Sequence, residues 1–286
     1  MIDSRRVRTS VAGLIGFLLP VVLGSCSGGG GGSPPAPAPT PVPTPAPPST
    51  TVVVTAVNGL ISAPSVFTAN CGAPNTGTLY TNAEVEPHIA LNPANPNNLI
   101  ASWQQDRWSN GGAQGNTVAA SLNGGQTWTL QPVKASTCGG GNAANNGNYE
   151  RATDPWVAFS PNGTAYQMSL AISGASFQAG SQSAMLVYRS TDGGITWGPP
   201  ATLVLDGATA FNDKNTLTAD PTDSRFVYAV WDRLTNDNRG PTLFARTTDG
   251  GTTWETVRTI YDPGTGAQTI GNVIGVLPNG TLINLF

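Results

Sequence analysis

Ser121-Leu-Asn-Gly-Gly-Gln-Thr-Trp128, Ser190-Thr-Asp-Gly-Gly-Ile-Thr-Trp197 and Thr247-Thr-Asp-Gly-Gly-Thr-Thr-Trp254 are three copies of one eight-residue pattern. Their tryptophans lie 69 and 57 residues apart. An alternating apolar run precedes each copy, as in Met185-Leu-Val-Tyr-Arg189 and Thr242-Leu-Phe-Ala-Arg246, and a second β-prone run follows. Asp-Gly-Gly between two such runs is a hairpin signal, because glycine accepts positive φ. The Asp carboxylate can accept hydrogen bonds from the turn's own N–H groups. The Trp just inside the next strand has a ring large enough to wedge between sheets.

Two more strands precede each copy. They are Pro87–Leu91 and Leu99–Trp103 in the first unit, Trp156–Phe159 and Thr164–Met168 in the second, and Thr216–Ala219 and Phe226–Trp231 in the third. Each unit therefore reads as a four-stranded antiparallel meander, the blade of a β-propeller. A fourth unit begins with Asn272–Val276 and Thr281–Leu285. The expected fold class is all-β, a propeller of about three and a half blades over residues 51–286. Propellers have four to eight blades, so the chain reads as the N-terminal part of a longer, six-bladed protein.

The repeated pattern resembles the Asp box, S/T-x-D-x-G-x-T-W, of sialidases and related propellers. Asp192 with Trp197 and Asp249 with Trp254 match it fully; in the first copy Asn123 stands where the Asp would be, ahead of Trp128. The resemblance implies a structural role for these boxes, on the face away from the active site. The opposite face carries the loops between strands 2 and 3 and between blades. There the sequence places Glu84, Glu86, Asp106, Arg107, Tyr149, Glu150, Arg151, Asp154, Asp213, Lys214, Asp232, Arg233 and Arg239. In a sialidase, clustered arginines hold the substrate carboxylate, a carboxylic acid protonates the leaving oxygen, and a Tyr paired with a Glu is the nucleophile. On that resemblance Arg107, Arg151 and Arg233 are the expected carboxylate binders, and Asp106 or Asp154 the acid. The family's Phe/Tyr-Arg-Ile-Pro segment is absent, and its nucleophile belongs to a late blade beyond Phe286. Tyr149 has no claim to that role by motif. Trp103, Trp108 and Trp231 are candidates for stacking on sugar rings or for packing between blades. His88, beside Pro87, is expected to line the central channel.

The implied activity is exo-hydrolysis of terminal sialic acid from glycoconjugates by the full-length protein, the 286-residue chain alone being expected to be inactive. The rival reading is a non-catalytic surface propeller that binds glycan or protein. No cofactor and no metal are implied, since the chain has one His and no Cys-x-x-Cys. Charged residues make up 10% of the chain, the formal net charge is −3 and there is no basic stripe, which excludes nucleic acid as an expected partner. The protein is expected to act as a monomer.

The first 26 residues read as an export signal. Arg5, Arg6 and Arg8 precede VAGLIGFLLPVVL (residues 11–23), an apolar run too short to span a bilayer. It ends in Leu23-Gly24-Ser25-Cys26, which resembles a bacterial lipobox and implies lipidation of Cys26. Residues 27–50, rich in Gly, Pro, Ala and Thr, have almost nothing to bury and read as a tether. The expected location is the cell envelope, on the outer membrane where the host has one, with the lipid as the only membrane contact. Cys71 and Cys138 remain, an even number in an oxidising compartment, and are expected to pair.

Overall fold

The computed structural model describes residues 59–62, 64–69, 71–72 and 76–286. The expected export signal, Cys26 and the expected tether lie outside the described residues. Fourteen strands follow one another, and among the described residues the only helical element is a single 3-10 turn at Ala143–Asn145. The first blade is β1 (Leu79–Leu91), β2 (Leu99–Trp108), β3 (Ala113–Ser121) and β4 (Thr129–Pro132). The second is β5 (Arg151–Phe159), β6 (Ala165–Ser173), β7 (Gln182–Ser190) and β8 (Ala201–Asp206). The third is β9 (Ala210–Ala219), β10 (Val227–Thr235), β11 (Thr242–Thr247) and β12 (Arg258–Tyr261). A hairpin of β13 (Val273–Val276) and β14 (Leu282–Leu285) begins a fourth.

Within each blade every neighbouring pair is antiparallel and in chain order. The first strands β1, β5, β9 and β13 contact one another in succession, as inner strands do around a propeller axis. Blades stack face to face, so their middle strands are buried on both sides. β3 and most of β2, β6 and β7 are continuously buried, whereas β12 at an outer edge is exposed throughout. The core accordingly lies between blades. Met168, Leu170, Met185 and Val187 of the second blade pack on Leu217, Ala229, Trp231 and Leu243 of the third. Val118 of the first blade packs on Ala171, Leu186 and Tyr188 of the second.

The three box turns share one hydrogen-bond pattern. The hydroxyls of Ser121, Ser190 and Thr247 donate to Asn123, Asp192 and Asp249 at 2.7–3.0 Å. The same hydroxyls accept from the N–H groups of Gly125, Gly194 and Gly251. The side-chain oxygens then accept from the N–H groups of Thr127, Thr196 and Thr253, each at 2.9 Å. Asn123 thus closes its turn as an aspartate would. The hydrogen bonds from Thr253 and Thr247 hold the Asp249 carboxyl down at about 2.

These turns also tie one blade to the one before it. Asn98 donates to the Gly193 carbonyl at 2.9 Å, and Tyr166 and Arg189 donate to that of Gly250 at 2.9 and 2.8 Å. Gly194 has φ +91°, and a Cβ there would stand 2.5 Å from Cγ2 of the fully buried Ile100. Gly194→Ala should therefore cost about 2–4 kcal/mol, the sum of a left-handed alanine and an overpacked contact. Urea unfolding measures it; a change below ~1 kcal/mol would show that the turn does not carry the blade contact.

Candidate functional site

Each inner strand is broken at the same place. In β1, Glu86 and Pro87 together oppose Trp103; in β5, Asp154 and Pro155 oppose Ser169; in β9, Lys214 and Asn215 oppose Trp231. Two residues facing one is a β-bulge. A proline has no N–H for the ladder, so the interruption falls where Pro87 and Pro155 stand. The first bulge residue is left-handed in all three strands, with φ 52° at Glu86, 48° at Asp154 and 49° at Lys214. Gly271, just before β13, has φ 71°. Such conformations in non-glycine residues cost about 1–3 kcal/mol each and cluster at functional sites. Here they bring three charged side chains to neighbouring positions on adjacent inner strands.

The three form one cluster. The Lys214 ammonium lies 2.9 Å from Glu86 Oε1 and 3.8 Å from Asp154 Oδ2, and the Lys214 N–H donates to Asp154 Oδ2 at 3.0 Å. Gln104 donates to Glu86 Oε2 at 2.8 Å and to Asp154 Oδ1 at 3.5 Å, and the Thr153 hydroxyl donates to Asp154 Oδ1 at 2.7 Å. Burial raises the Asp154 carboxyl above the usual carboxylate range; the charge of Asp213 adds to this, and Lys214 and the hydrogen bonds oppose it. Asp154 is 7% exposed.

A cleft of about 550 Å³ opens over this cluster. Glu86, Asp154, Asp213 and Lys214 line one part of it, Arg107, Glu150 and Arg151 another, and Leu170, Ile172 and Phe211 supply apolar surface. Arg107 donates to the Gly112 carbonyl at 2.7 Å. Arg151 donates to the Gly111 carbonyl and to Asn110 Oδ1, and its guanidinium lies 5.3 Å from the centroid of the Trp108 ring. Burial and the neighbouring Arg107 lower the Arg151 pKa, with Glu150 opposing them. Neither arginine has a carboxylate partner within ion-pair distance among the described residues. Glu86, Asp154 and Lys214 also line a second cavity of about 390 Å³ with His88 and Trp156. His88 is stacked on Trp156, ring centroids 3.8 Å apart, and burial lowers its pKa.

Arg233 is placed elsewhere. Its guanidinium closes on Asp206 through two hydrogen bonds of 2.8 and 2.5 Å, and it does not line the cleft. Asp106, expected as an alternative acid, is 2% exposed and accepts from the Ser65 hydroxyl at 2.6 Å and the Asn82 N–H at 2.7 Å. That pins the segment before β1, and β1 itself, to β2. Tyr149 is buried in the core between the first two blades. Arg239 pairs with Asp262 at 2.9 Å. Trp103 and Trp231 pack between strands, their indole N–H groups donating to Gln105 and Asn212. Cys71 and Cys138 form a disulfide, Cα atoms 5.3 Å apart. Nothing in the sequence marks Gln104 or Asp206, since a polar residue within or ending a strand carries no signal of its distant partner. Among the described residues no group of three or more His, Cys, Asp or Glu could hold a metal ion.

No protein-family model and no curated protein matches the chain. Solved structures do. A Hadza microbial sialidase is 19% identical over 67% of this chain and 41% of its own, with a TM-score of 0.46. The α-L-arabinofuranosidase Arb93A from Fusarium graminearum is 18% identical over 70% of this chain and 55% of its own, TM-score 0.49. A Trypanosoma rangeli sialidase is 17% identical over 77% and 37%, TM-score 0.46. The chain spans about half the length of these proteins or less.

Proposed function

We propose that the cleft binds the carboxylate of a terminal sialic acid and that the protein is a sialidase-like exo-glycoside hydrolase. The observation that carries this reading is the pair Arg107 and Arg151, held by backbone carbonyls and left without carboxylate partners, in one cleft with the buried acid Asp154. The arginines supply bidentate donors for a carboxylate. Asp154, raised by burial, keeps its proton to higher pH than an exposed aspartate and can pass it to a leaving oxygen. Arg233 in this reading is structural, and so is Asp106.

The test compares two substrates, on protein that includes the late blade from which the sialidase resemblance expects the nucleophile. Asp154→Asn should lower turnover of sialyllactose by about 10²–10⁴-fold, the usual contribution of a general acid. It should lower turnover of the 4-methylumbelliferyl sialoside far less, because that phenolate leaves without a proton. Equal losses on both substrates would remove Asp154 as the acid. Sialic-acid binding without turnover would favour the non-catalytic surface propeller.

We further propose that the chain is exported and anchored to the cell envelope by lipid on Cys26, with residues 27–50 as the tether. Cys26→Ala should move the protein from the detergent phase to the aqueous phase, or leave it unprocessed. Unchanged membrane retention would rule the anchor out.

A further inference from the structure

Asp232 is 1% exposed on β10, and neither of its carboxylate oxygens has a hydrogen-bond partner among the described residues. Successive strand residues point to opposite faces. Trp231 and Arg233, on either side, turn to Asn212 and Asp206. Asp232 faces the other way, and across the ladder its partner is Asp213, which lines the cleft. The charged groups around it come from three inner strands: Asp213 and Lys214 on β9, Asp154 on β5, and Glu86 on β1, which reaches the same lysine. Towards the fourth blade, the side chains of Thr242, Thr269 and Asn272 are bonded to one another and carry no titratable group. An ionised carboxylate here would be buried without a partner beside other carboxylates, which is the arrangement least able to hold a charge.

We propose that Asp232 is kept as a neutral carboxylic acid behind the cleft, and that its proton sets how much negative charge the cleft presents to an anionic ligand. It is a positioning residue, acting through Asp213 and the Glu86–Lys214–Asp154 cluster. When Asp232 ionises, the group around the single Lys214 ammonium gains one negative charge, and the balance turns against a bound carboxylate. Burial, and then Asp213 and Asp154, push Asp232 up to about 8, so the change falls just above neutral pH. The ligand half of this proposal rests on the carboxylate-binding reading above; the protonation half does not.

The experiment therefore has two arms. In the first, aspartate carboxyl 13C resonances of the full chain are followed from pH 4 to 10. One should titrate with a midpoint near 8, vanish in Asp232→Asn and persist in Asp154→Asn. If Asp232→Asn does not fold, persistence of the resonance in Asp154→Asn still identifies it against the other raised carboxyl. Because the folded state then binds more protons than the unfolded one between the two pKa values, wild-type Tm should fall relative to Asp232→Asn as pH rises from about 4 to 8. Absence of any aspartate carboxyl titrating above pH 6 overturns the proposal whatever the ligand. In the second arm, affinity for N-acetylneuraminic acid is measured at pH 6, 7, 8 and 9. It should fall across that range in the wild type and fall less in Asp232→Asn. Parallel curves overturn the charge-setting role, and no binding by either protein overturns the reading of the cleft while leaving the resonance to decide the protonation state.

Discussion

Arg107→Lys combined with Arg151→Lys should weaken sialic-acid binding about 100-fold. Both residues keep their positive charge in this variant, so the loss isolates the guanidinium fork. Each native guanidinium has five N–H donors. Arg107 commits one nitrogen to the Gly112 carbonyl, and Arg151 one to Gly111 and Asn110, which orients both groups before a ligand arrives. A hydrogen bond to a charged group contributes about 1.5–3 kcal/mol, and a lysine cannot restore the paired geometry. A loss of about 1.4 kcal/mol at each site multiplies to about 100-fold. Calorimetry with N-acetylneuraminic acid measures it, with Arg233→Lys as the control. Because Arg233 is engaged with Asp206 outside the cleft, its replacement should lower stability and leave affinity unchanged. A larger loss of affinity from Arg233→Lys than from the cleft pair would relocate the site.

Removing the disulfide should cost about 4 kcal/mol. The bond joins residues 67 apart in sequence, and loop-closure entropy in the unfolded chain sets that figure. It links Cys71, in the segment before β1, to Cys138, in the connection between the first two blades. The two cysteines share a small cavity with Trp108 and Arg151, so the bridge also backs the wall on which Arg151 lies. Cys71→Ser with Cys138→Ser should therefore shift the denaturant midpoint strongly and weaken carboxylate binding as a secondary effect. Thiol titration of the denatured, unreduced protein should find neither cysteine free, and two titratable thiols would show that the bond does not form.

The blades were legible because their determinants are local. A box turn is closed by side chains two to four residues from the N–H groups they bind, as Asp192 is with Thr196, and the strands leading into the second and third boxes are short apolar runs. From the same reading came the division of each blade into a box end and a charged end. The charged halves of the strands read as loops, and they are not. Arg151 and Asp154 lie in β5, Asp106 and Arg107 in β2, Asp213 and Lys214 in β9. Bulges at Pro87, Pro155 and Asn215 break the two-residue period where polar side chains begin, so neither alternation nor hydrophobicity marks these stretches as strand.

The selection of site residues from that charged end belongs to the tertiary structure. In the sequence Arg233 is as good a candidate as Arg107, and nothing sets its neighbour Asp232 apart from the other charges of that end. A one-residue alternation along β10 sends Arg233 to Asp206, 27 residues away, and buries Asp232 without a partner beside Asp213. Asp106 and Asp154 were likewise indistinguishable as acids. Ser65, 41 residues upstream, occupies the first, and packing of neighbouring inner strands buries the second under the cleft. Turns and strands follow from forces acting over a few residues, and these the sequence alone determined. Which charge is satisfied, which is buried and which is left for a ligand depends on partners that only the stacking of blades brings within hydrogen-bond distance.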